Sequence, residues 1–272
     1  MNEITIGLVQ MVSRCDNLST NLQKIEGFVR QAAAQGVAIV CFPELSLTGY
    51  CLGQDWQAQA KETAEAVQAL QVLARELKLV LMAGLAETGS DNKTYITQLI
   101  CQEDGTADFY RKTHLGQKEK LHFTAGDRLP VFTLKNGLKV GIELCYDTHF
   151  PEVTTKLSQM GAQIVFAPHA VPLVSTGSRK EIWSKYIPAR AYDNRVYFAC
   201  CNQLGDNGHG SKFAGGCLAY GPDGNLIAED FSGQEGLLTV RLSLAELELY
   251  RQAGKGSMGK RFFPQDRRPE LY

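Results

Sequence analysis

Lys139-Val-Gly-Ile-Glu-Leu-Cys-Tyr-Asp-Thr-His-Phe-Pro-Glu152 runs a strand into a sharp exit and then into a helix. Val140, Ile142 and Leu144 alternate with Gly141, Glu143 and Cys145. A period of two is what a strand imposes, so the Cys145 thiol falls on the face opposite the main apolar set. Pro151 suits the first helical position, which needs no N–H donor, and Glu152 suits the first turn. A strand-turn-helix of this kind brings backbone N–H groups and a helix N-terminus close to the sulfur. That setting stabilises a thiolate or a developing oxyanion.

Working outward, Asn136-Gly137 between Val131–Leu134 and the strand from Leu138 signals a hairpin. After Gly161 the pattern repeats: strand Ile164–Ala167, a helix over roughly Arg179 to Asn194, then strand Val196–Cys200. Three further strand candidates follow, with Gly221-Pro-Asp-Gly224 as a turn between two of them, and a last helix spans about Leu244 to Arg251. Towards the N-terminus, a strand starting almost at once in Met1–Gln10, a helix through Leu22, Ile25, Phe28, Val29 and Ala32 that stops at Gly36, and strand Val37–Phe42 lead on. A second amphipathic helix, Lys61 to Lys78, feeds strand Leu79–Gly84. Tyr95–Cys101 and Thr106–Arg111 break the rhythm as antiparallel strands around Glu103-Asp-Gly105. The long polar segment from Thr113 to Arg128 reads as functional. Helices interleaved with strands, without repeat or linker, indicate one α/β domain over residues 1–272, with two sheets inside and helices outside.

The 272 residues are 44% hydrophobic and 21% charged, enough for a substantial core. A net charge of −1 gives no electrostatic reason for a nucleic acid or an anionic membrane as partner. The chain opens on a strand without the basic and apolar regions of a signal peptide, so a cytoplasmic protein is expected. No run approaches the roughly 18 apolar residues of a membrane span. The eight cysteines contain no CxxC pair, and most read as small buried hydrophobes in a reducing compartment.

Three reactive groups close strand-like runs: Glu44 after Val37–Phe42, Lys112 after Phe109–Arg111, and Cys145. If those strand ends share one edge of the core, the groups converge. A carboxylate beside a thiol accepts its proton, and a buried ammonium stabilises the thiolate and the oxyanion formed when sulfur attacks a carbonyl or nitrile carbon. A desolvated lysine needs a carboxylate to stay charged, which Glu44 or Glu119 can supply. Each residue also has a bland reading: Cys145 as a core thiol, Glu44 as a cap, Lys112 as a solvated strand end.

Phe42-Pro-Glu-Leu-Ser-Leu-Thr-Gly-Tyr50, Tyr110-Arg-Lys-Thr-His-Leu115 and Gly141-Ile-Glu-Leu-Cys-Tyr-Asp-Thr-His-Phe-Pro-Glu152 resemble, in that order, the three signature segments of the nitrilase superfamily of carbon-nitrogen hydrolases. The likeness covers nearly the whole chain. Its closing Arg-Arg-Pro-Glu-Leu-Tyr272 is similar to the tail of the N-carbamoylputrescine amidase branch. The resemblance implies a four-layer α-β-β-α sandwich that needs no cofactor and assembles as a homodimer or larger homo-oligomer. It implies Cys145 as nucleophile, Glu44 as general base and later acid, Lys112 with the backbone N–H of Tyr146 as oxyanion stabilisers, and Glu119 as a second glutamate beside the lysine.

The five histidines show no HxxxH or Cys/His cluster, so no metal site is expected. His169 either lines the substrate pocket or is satisfied by local backbone. Tyr50 is a wall candidate, as is Phe150, which also suits core packing. Gly205–Gly210 follows no phosphate-loop spacing and reads as a mobile loop. Glu143 shares the face of Cys145, either as a further carboxylate near the site or, preferably, paired with a nearby base.

The expected activity is cleavage of the C–N bond of a small linear amide or N-carbamoyl compound through a cysteine thioester, releasing ammonia. Its rivals are a true nitrilase and, in another class, a catalytically silent or redox-responsive scaffold in which Cys145 is merely oxidisable.

Overall fold

In the computed structural model, which describes residues 2–15, 17–172, 175–251 and 261–271, strand β1 (Glu3–Gln10) leads through helix α1 (Leu18–Ala34) to β2 (Ile39–Cys41). Helix α2 (Ala60–Leu77) connects β2 to β3 (Val80–Thr88), so that β1, β2 and β3 are parallel. Parallel strands need such crossover helices, and the helices then cover the outer face of the sheet. β4 (Thr94–Cys101) and β5 (Ala107–Arg111) extend it as antiparallel strands.

The second half repeats the plan. β6 (Val131–Thr133) and β7 (Lys139–Ile142) form the hairpin, α3 (Pro151–Gln159) crosses to β8 (Ile164–His169), and α4 (Thr176–Ser184) and α5 (Ile187–Asn194) lead to β9 (Tyr197–Asn202). β7, β8 and β9 are parallel. A short antiparallel pair, β10 (Leu204–Asp206) and β11 (Lys212–Ala214), precedes β12 (Cys217–Tyr220), β13 (Leu226–Asp230), β14 (Gly236–Ser243) and α6 (Leu244–Arg251). The two large sheets have six strands each, in the orders β14-β1-β2-β3-β4-β5 and β13-β12-β9-β8-β7-β6.

Three apolar clusters define the layers. Ile6, Ile39 and Met82 of the first sheet meet Val140, Ile164 and Phe166 of the second in the seam between sheets. Ile25, Val29, Leu70 and Leu73 pack α1 and α2 on the first sheet, and Val153, Leu157, Trp183 and Ile187 pack α3, α4 and α5 on the second. The result is the α-β-β-α sandwich.

The structure departs from the sequence reading at several points. The helix expected over Arg179–Asn194 is two helices, because Pro188 has no N–H to continue α4 and instead starts α5. Five strands, not three, follow β9. The supposed mobile loop is the turn between β10 and β11, pinned by Asn207: its side chain donates to the Tyr50 carbonyl (2.8 Å) and accepts from the His209 and Ser211 N–H groups. Cys15 and Cys51 form a disulfide across 36 residues, a pairing that sequence spacing does not signal. Cys41, Cys101, Cys200, Cys201 and Cys217 are buried free thiols, as expected. Among the described residues no helix is long and apolar enough to cross a membrane. Of the closing motif, Tyr272 lies outside the described residues.

Candidate active site

β2, β5, β7 and β8 end on one edge of the sandwich, and each delivers a polar group just past its last residue. In open parallel sheets that edge is where loops diverge and leave a crevice. Glu44 follows β2 in a tight turn whose next residue, Leu45, has a left-handed backbone (φ 55°). The turn passes directly over Gly84 of β3. A Cβ there would lie 2.1 Å from the Leu45 nitrogen and 2.7 Å from the Pro43 oxygen, so only glycine permits the approach.

Lys112 follows β5 with its ammonium fully buried. Its Nζ donates to Glu44 Oε1 (2.7 Å) and to Glu119 Oε1 (2.9 Å). Glu119 opens a 3-10 turn (Glu119–Leu121) within the long polar segment, and its carboxylate also accepts from the Gly116 N–H (2.7 Å) and the Tyr50 hydroxyl (3.1 Å). The second sheet reaches across to Glu44. Ala170 N–H, just beyond β8, donates to its Oε2 (3.0 Å), and Gln203 Nε2 donates to its backbone oxygen (2.8 Å).

Cys145 does not lie on the strand, as the alternation suggested. β7 ends at Ile142, and Cys145 begins a 3-10 helix, Cys145–His149, with a left-handed backbone (φ 46°). Such a conformation costs a side-chain-bearing residue roughly 1–3 kcal/mol and persists only where neighbours enforce it. Asp147 is the enforcer. Its buried carboxylate accepts from Leu144 N–H (2.9 Å), Tyr110 Oη (2.7 Å), Thr113 Oγ1 (2.9 Å) and His114 N–H (2.8 Å). It therefore locks the cysteine turn to the segment that carries Lys112. In the sequence the one signal for Asp147 is an acidic residue two positions after the thiol, in a chain turn that must bury N–H groups.

The electrostatics follow from burial. Desolvation pushes the Glu44 carboxyl up to about 7 against the pull of Lys112. Burial and then the Glu44 charge push the Cys145 thiol well up, with Lys112 and the Ala170 N–H opposing. For Lys112, burial works to discharge the ammonium, but Glu44, Cys145 and Glu119 outweigh it and hold the charge. The resting arrangement is thus a neutral thiol, a carboxyl group poised near neutrality and a fixed cation.

A cleft of about 780 Å³ opens beside this cluster, lined by Tyr50, Leu52, Gly116, Glu119, Pro172 and Lys212 among others. Tyr50 is therefore at the wall. Tyr146 has an exposed side chain packed edge-on against Phe150 (5.4 Å). His169 is a correction: it is 1% exposed, its Nδ1 meets the Ala167 oxygen (2.7 Å), and its Nε2 accepts from Trp183 Nε1 (3.3 Å). Burial and Arg179 hold it neutral, and it supports the β8 end instead of lining a pocket. Glu143 is the other correction. It is fully buried, but both carboxyl oxygens lack a hydrogen-bond partner, and no base pairs with it among the described residues. No group of three or more His, Cys, Asp or Glu residues suited to a metal ion occurs among the described residues.

Comparison with known proteins points the same way as the geometry. The family profile described as Carbon-nitrogen hydrolase matches residues 5–252. An (R)-stereoselective amidase from Pseudomonas sp. is 30% identical over 91% of this chain and 88% of its own. N-carbamoylputrescine amidase from Arabidopsis thaliana is 30% identical over 99% of this chain and 94% of its own. A mutant of the amidase from Nesterenkonia sp. AN1, solved with the acetamide moiety of fluoroacetamide covalently added at its active-site cysteine, superposes with a TM-score of 0.84. It is 28% identical, with 99% of this chain and 95% of that one covered. With a sandwich of this shape, a buried Glu-Lys-Glu cluster at its strand ends and a family match across most of its length, this chain belongs to the carbon-nitrogen hydrolases of the nitrilase superfamily.

Proposed function

We propose that the protein is a thiol amidase that hydrolyses the C–N bond of a small linear amide or N-carbamoyl compound at Cys145. The observation that carries this reading is the buried lysine held between two carboxylates, Glu44 and Glu119, beside a strained cysteine turn. Glu44 takes the thiol proton as sulfur attacks the amide carbon. The oxyanion of the tetrahedral intermediate is received by Lys112 and the Tyr146 N–H. Glu44 then returns the proton to the departing nitrogen, and ammonia leaves a thioester on Cys145. In the second half Glu44 takes a proton from water, hydroxide adds to the thioester, and the thiolate leaves and regains the proton. Glu119 keeps Lys112 charged and fixed throughout.

Glu44 must be ionised at the start, so kcat/KM rises with pH through about 7. The test is ammonia release from amide, N-carbamoyl and nitrile panels, with mass spectrometry for an acyl adduct on Cys145. Turnover by C145A, or absence of any adduct during turnover by the native enzyme, would sink the proposal. Preferential attack on nitriles would move the chain to the nitrilase reaction.

A further inference from the structure

α4 turns only two of its nine residues inward, Arg179 and Trp183, one helical turn apart. Arg179 is 3% exposed, and its guanidinium stacks over the Trp183 ring at 5.0 Å. Its Nε is buried without a hydrogen-bond partner, and no carboxylate pairs with it among the described residues. The groups whose charges reach it are Tyr186, Cys145 and Cys200, none of them an acid at neutral pH. Trp183 in turn bonds His169 at the end of β8, and the next residue but one along that path, Glu44, is held by Ala170. A chain of contacts, Arg179 on Trp183, Trp183 to His169 and the neighbouring Ala170 N–H to Glu44, thus ties this cation to the end of β8.

Burying a guanidinium without a counter-ion is unfavourable, and a carboxylate arriving on a ligand would offset that. Lys118 and Lys212 at the cleft mouth are exposed and hydrated, so they offer no comparable desolvated charge. A planar fork of N–H donors matches a carboxylate in two parallel bonds.

We propose that Arg179 binds a carboxylate on the substrate, so that the compound cleaved at Cys145 is a short amide bearing an anionic far end. The proposal rests on Cys145 being the nucleophile and names the substrate class of that site. Succinamate and butyramide test it, because they share a four-carbon chain and differ in a carboxylate against a methyl group. In the native enzyme kcat/KM for succinamate exceeds that for butyramide. In Arg179→Gln the ratio falls about 10- to 100-fold, through KM, the range expected for hydrogen bonds to a charged group. Equal use of the two amides by the native enzyme, or a parallel loss in Arg179→Gln that leaves the ratio unchanged, overturns it.

Calorimetric titration of C145A reads the subsite without turnover and without altering Arg179. Succinamate binding at least tenfold tighter than butyramide supports the proposal, and equal binding overturns it. Release of ammonia from neither amide by the native enzyme defeats the amidase reading alone, because the C145A titration still decides the subsite.

Discussion

Replacing Glu143 by Gln should stabilise the protein at alkaline pH and do little at acid pH. The carboxyl lies on the helix-facing side of the second sheet, fully buried, with both oxygens unpartnered and the Thr154 hydroxyl likewise unpaired. Desolvation raises it from 4.5 to about 8, reinforced by the Asp147 charge and opposed by Arg190 and by the Thr154 hydroxyl, which approaches without reaching hydrogen-bond geometry. The folded state thus keeps a proton that the unfolded chain releases above pH 4.5. Stability from this group is complete below about 4.5 and is lost progressively as pH rises to about 8. At about 1.4 kcal/mol per unit, the shift corresponds to a ceiling near 5 kcal/mol. Glutamine keeps the shape without the charge, so the gap between variant and native stability should widen by about 3–5 kcal/mol across that range. Glu44, also raised, slopes both curves equally and cancels in the difference. Urea denaturation of both proteins at pH values spanning about 5 to 8 measures the gap. A gap constant to within about 1 kcal/mol would refute the claim that an unpaired carboxyl is buried there.

Other expectations follow from the same contacts. Lys112→Met leaves Glu44 and Glu119 buried without their cation. It should cost about 3–5 kcal/mol in urea melts and about 10²–10³ in kcat, with added Glu119→Gln recovering stability but no ammonia release; a kcat within tenfold of native would remove the oxyanion role. Gly84→Ala drives a Cβ into the turn bearing Glu44 and should lower stability by about 3 kcal/mol, with a larger proportional loss in kcat than in acyl-donor affinity. Unaltered kinetics would show that the turn yields freely. The denatured, unreduced chain should expose six reactive thiols and the reduced chain eight, and Cys15→Ser should cost about 2–4 kcal/mol while raising KM through the loosened Tyr50 loop. Eight thiols without reductant would rule the bridge out.

Much of the architecture could be read from residue order because its signals are local. The runs Val37–Phe42 and Ile164–Ala167 are apolar on both faces, as parallel strands covered twice must be, and Asn136-Gly137 fixes its hairpin unaided. The positions of Glu44, Lys112 and Cys145 at run ends were equally visible. Their meeting was not, since it depends on how two sheets face each other. What escaped the reading is non-local or lies below strand periodicity. The Cys15–Cys51 bridge needs two loops brought together. The left-handed turn at Cys145 is enforced by bonds from Leu144, Tyr110, Thr113 and His114 to one aspartate, and a pleat-based assignment has no way to foresee it. Glu143 was misassigned because alternation tells which way a side chain points but not what waits there, in this case no partner; the two readings of His169 are separated only by packing, which gives it the Ala167 carbonyl and the Trp183 N–H.

Glu44 hangs by its chain from one sheet while its carboxylate and its carbonyl are gripped by Ala170 and Gln203 of the opposite half. The proposed base is in effect a strut across the interior, so its placement reports the separation of the sheets. Swelling or compression of the seam around Ile39, Met82 and Phe166, by an oversized side chain or by hydrostatic pressure, would shift the base long before any strand melts. Turnover would then serve as a sensitive internal gauge of packing, failing while the circular dichroism of the fold is still intact.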